Sequence, residues 1–257
     1  MRLHSALLIA LFALTSSAAL GQEVIPRPGD MEKQRRSLTE WKTTAVDEGV
    51  AVQVKPIPEV TLTFPAITKK GTLTSRVIFD GPKPPTGYAI GTPAIYLEMN
   101  AGFDFTGPVD ICATFAPNLF PEGGADIRIL RREDKSWRDE TRTLDRDRHV
   151  VCGQLQKFGM LLLAVRTVAG LYDDLAATVR LVESEDLQQD LAGPILQSRE
   201  AALKNDRAAF EENLKTVRGQ LAQATTDKVS DQVRNWLDYF LTRIEAHVKP
   251  AQTTQAP

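Results

Sequence analysis

The chain has 257 residues, with 31 basic against 33 acidic side chains, a net charge of -2, 42% apolar and 25% charged content, and two cysteines. This balance excludes a disordered or collagen-like chain, and its field is too weak to recruit nucleic acid or an anionic membrane. The length admits one large domain or two small ones.

Residues Met1 to Gly21 carry Arg2, an apolar run from Ala6 to Leu14, and the small residues Ser16, Ser17, Ala18 and Ala19 before Gly21. That order of charge, apolar core and small residues predicts a secretory signal peptide, residues 1–21. The run falls short of the roughly 20 apolar residues that a membrane-spanning helix needs. Cleavage after Gly21 would leave a mature chain starting at Gln22, with no later stretch of membrane length, secreted or held in a periplasm. In an oxidising compartment Cys112 and Cys152 most simply pair. A redox pair or a catalytic thiol are the alternatives, and neither has a CxxC spacing or a nucleophile motif behind it. A closed loop of this size restricts the unfolded chain by about 4 kcal/mol.

Residues 22–48 are polar and charged, with Pro26 and Pro28, and read as an N-terminal arm with a short helix before Trp41. From Gly49 the apolar period becomes two. Val50, Val52 and Val54, then Val60, Leu62 and Phe64, predict half-buried strands. The same texture recurs at Thr72 to Phe79, Ala94 to Met99, Val109 to Phe115, Ile127 to Leu130 and Gln154 to Val165. Gly81-Pro82-Lys83-Pro84-Pro85, Thr106-Gly107-Pro108, Pro121-Glu122-Gly123-Gly124 and Glu133-Asp134-Lys135-Ser136 supply turns between them. Short strands without intervening helices predict an antiparallel β-sandwich over 49–182, with Trp137 large enough to fill its core.

The period then changes to that of a helix. Phe210, Leu214, Val217 and Leu221 share one face, with Asn205 or Asp206 as cap. Val233, Leu237, Phe240 or Leu241, and Ile244 share another after Ser230, with Trp236 beside them. A shorter helix through Ile195, Leu196 and Leu203 places Pro194 in its first turn. A small helical hairpin or bundle over 183–248 is expected, followed by a disordered tail at 249–257.

Two resemblances add to this reading. The series Val60-Thr-Leu-Thr-Phe64, Gly71-Thr-Leu-Thr74, Pro84 to Gly91, Phe105 to Cys112, Ile127 to Leu130, Trp137 to Thr141 and Val151 to Leu155 resembles a β-sandwich module of bacterial secreted and surface proteins. The cysteines and the Trp fall where that module carries them. The module is similar to the ZU-type sandwich of netrin receptors and tight-junction scaffolds, which implies a non-catalytic interaction domain. Gly159-Met160 departs from the module's usual Ser-Pro. Gly193-Pro-Ile195, Ala201-Ala-Leu203, Ala209-Phe210, Asn213-Leu214 and the helix after Val229-Ser230 resemble the FIMAH-type helical domain attached to some secreted bacterial hydrolases and lyases.

No catalytic constellation emerges. His149 and His247 are too few and too far apart for a histidine metal site, and the arginines within Asp145-Arg-Asp-Arg-His149 oppose a cation, so this run reads as a turn. G-x-S-x-G, H-E-x-x-H and a phosphate loop are absent, and nothing brings two of the paired acids into a cleft. Arg128, Arg131, Arg132 and Arg138 form the densest basic run and a candidate patch for an acidic surface or polysaccharide, against a solvated hairpin of mixed charge. Tyr88, Tyr96 and Phe103 offer an aromatic sugar platform, against plain packing. The expectation is a non-enzymatic interaction, adhesion or assembly module of the bacterial envelope. It would need no cofactor or metal and would bind an envelope or matrix protein or polysaccharide. The alternative is an accessory protein or enzyme acting on extracellular polysaccharide.

Overall fold

A computed structural model describes residues 39–248. The signal peptide, most of the arm and the tail expected from the sequence lie outside those residues. The described chain forms two compact units, one made of residues up to Pro84 and from Ile90 to Val165, the other of Pro85–Ala89 and the chain from Arg166.

The first unit is a mostly antiparallel sheet. Its strands are β1 (Lys42–Val46), β2 (Gly49–Ile57), β3 (Val60–Ile78), β5 (Tyr96–Thr106), β6 (Val109–Thr114), β7 (Ile127–Glu133), β8 (Ser136–Asp139), β9 (Thr141–Asp145), β10 (Val150–Leu155) and β11 (Met160–Arg166), with the short β4 (Tyr88–Ile90) between β3 and β5. Hydrogen bonding joins them in one 11-stranded sheet rather than two separate layers. Several strands named in pairs are continuous ladders. β1 and β2 run along one edge of β3, and β5 and β6 run along the other. β11 and β10 then follow β5 and β6 in the same way.

The sheet curls strongly. A straight strand of the 19 residues in β3 would span about 60 Å. Yet Val60 and Val77, near its two ends, line the same cavity, and the Ser75 hydroxyl donates to the Pro56 carbonyl at 3.4 Å. The bend shows in the side-chain parity. Val60, Leu62 and Phe64 are buried at even positions, whereas Ile67, Leu73 and Val77 are buried at odd ones. Phe64 packs at this corner against Phe103, Phe105 and Phe158, with ring centroids 5.3, 5.4 and 5.9 Å away. Gly71 is required just beyond it, because a Cβ there would lie 2.1 Å from the Gly102 carbonyl oxygen.

The end strands of the hydrogen-bonded path, β8 and β9, are consecutive in the chain and separated by Glu140 alone. That residue draws the sheet's two ends together. Its amide donates to the Ile129 carbonyl of β7 (2.9 Å), and its carbonyl accepts from the Gln154 amide of β10 (3.0 Å). The sheet is therefore nearly a barrel, with an apolar core of Leu62, Phe64, Leu73, Met99, Ile111, Ile127, Val151 and their neighbours.

The second unit holds four helices, α1 (Val168–Val179), α2 (Glu185–Leu203), α3 (Arg207–Gln223) and α4 (Asp231–Val248). The side chains of Thr167, Ser184 and Asp206 cap the first three by accepting from the amides of Gly170, Leu187 and Ala209. Phe210, Leu214, Val217 and Leu221 of α3, and Val233, Leu237, Leu241 and Ile244 of α4, are buried in a common core. The same core takes Leu171, Tyr172 and Leu175, so residues 166–182, expected with the strands, pack with the helices. Pro194 lies mid-way along α2 rather than in its first turn. The true start is Ser184, with Glu185 and Asp186 favourable in the first turn.

Pro85–Ala89 is fastened to the start of α1. The Gly87 carbonyl accepts from the Thr167 amide (3.0 Å) and the Thr167 hydroxyl (3.2 Å). Arg166 donates twice to Asp174 (3.0 and 2.6 Å), once to the Gly170 carbonyl (2.8 Å) and once to the Thr86 carbonyl (3.2 Å). Its guanidinium covers the Tyr88 ring at 4.6 Å. Gly87 has φ of +82°, and a Cβ on Gly170 would lie 2.4 Å from the Gly87 carbonyl oxygen.

Candidate functional site

Cys112 and Cys152 are bonded to each other, with Cα atoms 4.1 Å apart. They are direct partners in the β6–β10 ladder. The bond thus joins neighbouring strands of one sheet. Both cysteines alternate with the buried Ile111, Ala113 and Val151, so the sulfurs sit on the face away from the core.

The four arginines of the candidate patch do not share an open surface. Arg131 lies on the inward side of β7 with Ile127 and Ile129 and is only 3% exposed. It donates to Glu140 at 2.8 Å, which Arg138 also approaches at 3.7 Å. Arg128 pairs with Asp126 at 2.6 Å. Arg132 donates to the Asp134 carbonyl (3.1 Å) and sits over the Trp137 ring at 5.7 Å. Arg138, 63% exposed at its side chain, is the open member of the set. Strand alternation explains the dispersal, because Arg131 and Arg132 must face opposite ways.

The aromatic residues are dispersed as well. Tyr96 and Phe103 are buried, and Tyr88 lies under Arg166. Trp137 is not a core residue. It stands beside Tyr96 at 6.3 Å, and its indole donates to the Lys83 carbonyl (2.8 Å) while the Tyr96 hydroxyl donates to that of Pro82 (2.9 Å). The proline-rich loop is thereby held against both rings. Asp145 to His149 forms the turn between β9 and β10, with the Arg148 amide donating to Asp145 at 3.0 Å. Among the described residues no group of three or more His, Cys, Asp or Glu side chains is placed to hold a metal ion, and no helix is long and apolar enough to cross a membrane.

One concave feature was not anticipated from the sequence. The curl of the sheet leaves an apolar cavity of about 80 Å³ between Val60, Val77, Leu97, Ile111, Ala113, Phe115, Leu119, Phe120, Ile129 and Leu161. Residues of the wall that keep some exposure include Ile57, Glu59, Phe79, Ile95 and Ala116, with Thr114 exposed. Two 3-10 turns, Pro117–Leu119 and Pro121–Gly124, bring Leu119 and Phe120 to one side of it.

Glu59 is the charged residue of this wall. It occupies the turn between β2 and β3, where its carbonyl accepts from the Thr114 amide (2.9 Å) and hydroxyl (3.4 Å). Its Oε2 is buried and has no hydrogen-bond partner. Burial pushes this carboxyl above its ordinary value, opposed by a hydrogen bond from its own backbone and by the charge of Lys42. Nothing in local sequence marks it, since the site exists only where the two ends of a curled strand meet.

No family model, no curated protein and no solved structure matches the chain. The ZU-type and FIMAH-type resemblances therefore rest on the sequence series alone.

Proposed function

We propose that the chain is an exported, non-catalytic interaction module whose β unit receives an apolar group from a binding partner. The observation that carries this reading is the cavity, with its apolar wall and side-chain size. The cavity volume of about 80 Å³ lies below the roughly 300–1,000 Å³ of a typical small-molecule site. A Val- or Leu-sized anchor on a larger partner fits that volume, as buried anchors do at interface hot spots. Export is inferred from residues 1–21 and is supported by the Cys112–Cys152 bond. The parity change along β3 supports the finer description of the β unit as a folded-over sandwich.

The test is photo-crosslinking from Thr114, at the cavity rim, in mature protein within its own cell envelope, with and without Ala113→Leu to fill the cavity. A specific adduct lost on filling supports the reading. An adduct pattern unchanged by Ala113→Leu, in protein that melts as the parent does, overturns it.

A further inference from the structure

The outer side of β1, β3 and β5 carries a set of groups separate from the cavity. Leu73, Ser75 and Val77 of β3 are buried, so Thr72, Thr74 and Arg76 point the other way. Direct partners in a ladder share a face. Thr74 is opposite Thr43 and Asn100, Thr72 is opposite Ala45 and Gly102, and Arg76 is opposite Glu98. Trp41, just ahead of β1, extends the Arg76 row. The guanidinium lies 4.6 Å from its ring, and the residue stays 44% exposed. Since Arg76 covers one face of the indole, that exposure belongs to the other face and the ring edge. Ala45 and Gly102 keep the row beyond Thr43 and Asn100 low.

The polar groups of this strip are charge-balanced. Glu98 Oε2 takes both contacts from Arg76, with Nε at 2.7 Å and Nη2 at 2.6 Å, which leaves Oε1 and Nη1 to bond outward. The Thr74 hydroxyl donates to the Asn100 carbonyl (3.4 Å), whereas the Thr43 hydroxyl and the Asn100 side-chain amide are not engaged by another described residue. One aromatic face therefore stands beside donors and acceptors with no net charge. An anionic ligand would need a cation that is not already paired, and a protein hot spot would need a pocket for its anchor. A pyranose ring meets both halves of the strip, because its axial C–H bonds lie against an indole face and its hydroxyls both donate and accept.

We propose that this strip binds a neutral β-1,4-linked glycan, one pyranose stacked on the open face of Trp41, with Glu98 Oε1, Arg76 Nη1, Asn100 and Thr43 bonding the hydroxyls of that ring and its neighbour. Equatorial substituents leave C–H bonds on both sides of each ring, and the β-1,4 linkage extends the rings into a ribbon that can follow the strip. An α-1,4-linked chain coils away from it.

NMR on the disulfide-intact mature chain would follow the indole N–H signals of Trp41, Trp137 and Trp236 during titration with cellohexaose, chitohexaose and maltohexaose. At least one of the β-linked hexasaccharides should shift the Trp41 signal alone and bind at least tenfold tighter than maltohexaose; the tighter of the two tells a glucose chain from an N-acetylglucosamine chain. Trp41→Ala should abolish this binding and Asn100→Ala should weaken it at least threefold, in variants that melt as the parent does. Ala113→Leu, which fills the cavity, should leave it unchanged, so this site and the anchoring site fail separately. No shift with either β-linked hexasaccharide, binding retained by Trp41→Ala, or equal affinity for maltohexaose overturns the inference. Tighter binding of sulfated cellohexaose overturns the assignment to a neutral glycan.

Discussion

At the scale of single residues, the strongest dependence is on Glu140. Its backbone bridges β7 and β10, and its side chain neutralises the buried Arg131. Without Glu140, Arg131 keeps only the longer contact to Glu133 at 3.4 Å, so Glu140→Ala should destabilise the β unit by about 3 kcal/mol, the low end for breaking a buried ion pair. Chemical denaturation of the variant checks this. Gly153→Ala should be comparably damaging, because its Cβ would lie 2.5 Å from the Glu140 carbonyl oxygen, a backbone atom unable to withdraw. In the helical unit, the Tyr172 hydroxyl and the Ser198 hydroxyl share a hydrogen bond of 2.5 Å with both residues buried. Tyr172→Phe strands the Ser198 hydroxyl and should cost about 1–3 kcal/mol. Burial first, against the Ser198 hydrogen bond and the charge of Arg199, pushes the Tyr172 phenol up to about 12. The unfolded chain then loses this proton at lower pH than the folded one, so stability should fall as pH rises from about 10 through 12. Ultraviolet titration of phenolate alongside melting curves reads both. The disulfide was legible at this scale, because two cysteines in a chain expected to be exported most simply pair. Glu59 was not, because a Pro-Glu turn looks alike whether it faces solvent or a cavity.

At the scale of elements, periodicity located the buried faces well where a strand or helix keeps one parity. Phe210, Leu214, Val217 and Leu221 all lie in the helical core, and Val60, Leu62 and Phe64 in the β core. It failed where an element changes parity or contains a breaker. β3 reads as two strands because its inward positions shift at Pro65, and α2 reads as a short helix because Pro194 interrupts it. β8 and β9 escaped notice since their residues are mostly polar and exposed. Val50, read as inward, is 83% exposed, next to Ala51 at a φ of 52°. The helices themselves are not optimised. Gly219 in α3 has open space where a Cβ would stand, so Gly219→Ala should stabilise by about 0.5–1 kcal/mol. Thermal melting at 222 nm would show the increase.

At the scale of the whole molecule, the described residues carry two apolar cores with no residue in common. The Cys112–Cys152 bond belongs to the β core's sheet, closing a sequence separation of 40. Replacing both cysteines by serine should cost that unit up to about 4 kcal/mol. The loss should appear as an earlier melt of the β signal in circular dichroism, with the helical signal less affected. An unchanged β transition would mean that the ladder alone holds β6 to β10.

Pro85–Ala89 gives the helical unit a beginning 80 residues ahead of the rest of it, as the span from Thr86 to Arg166 measures. At a synthesis rate of about 5–20 residues per second, this strip emerges roughly 4–16 s before the arginine that holds it. For that interval Gly87 has no Thr167 amide to accept from. A fragment starting at Arg166 would never acquire the strip at all, and a chain stopped at Val165 would keep it without the Arg166 and Thr167 donors that hold Thr86 and Gly87. The helical unit is therefore completed only when a piece made early meets a piece made late.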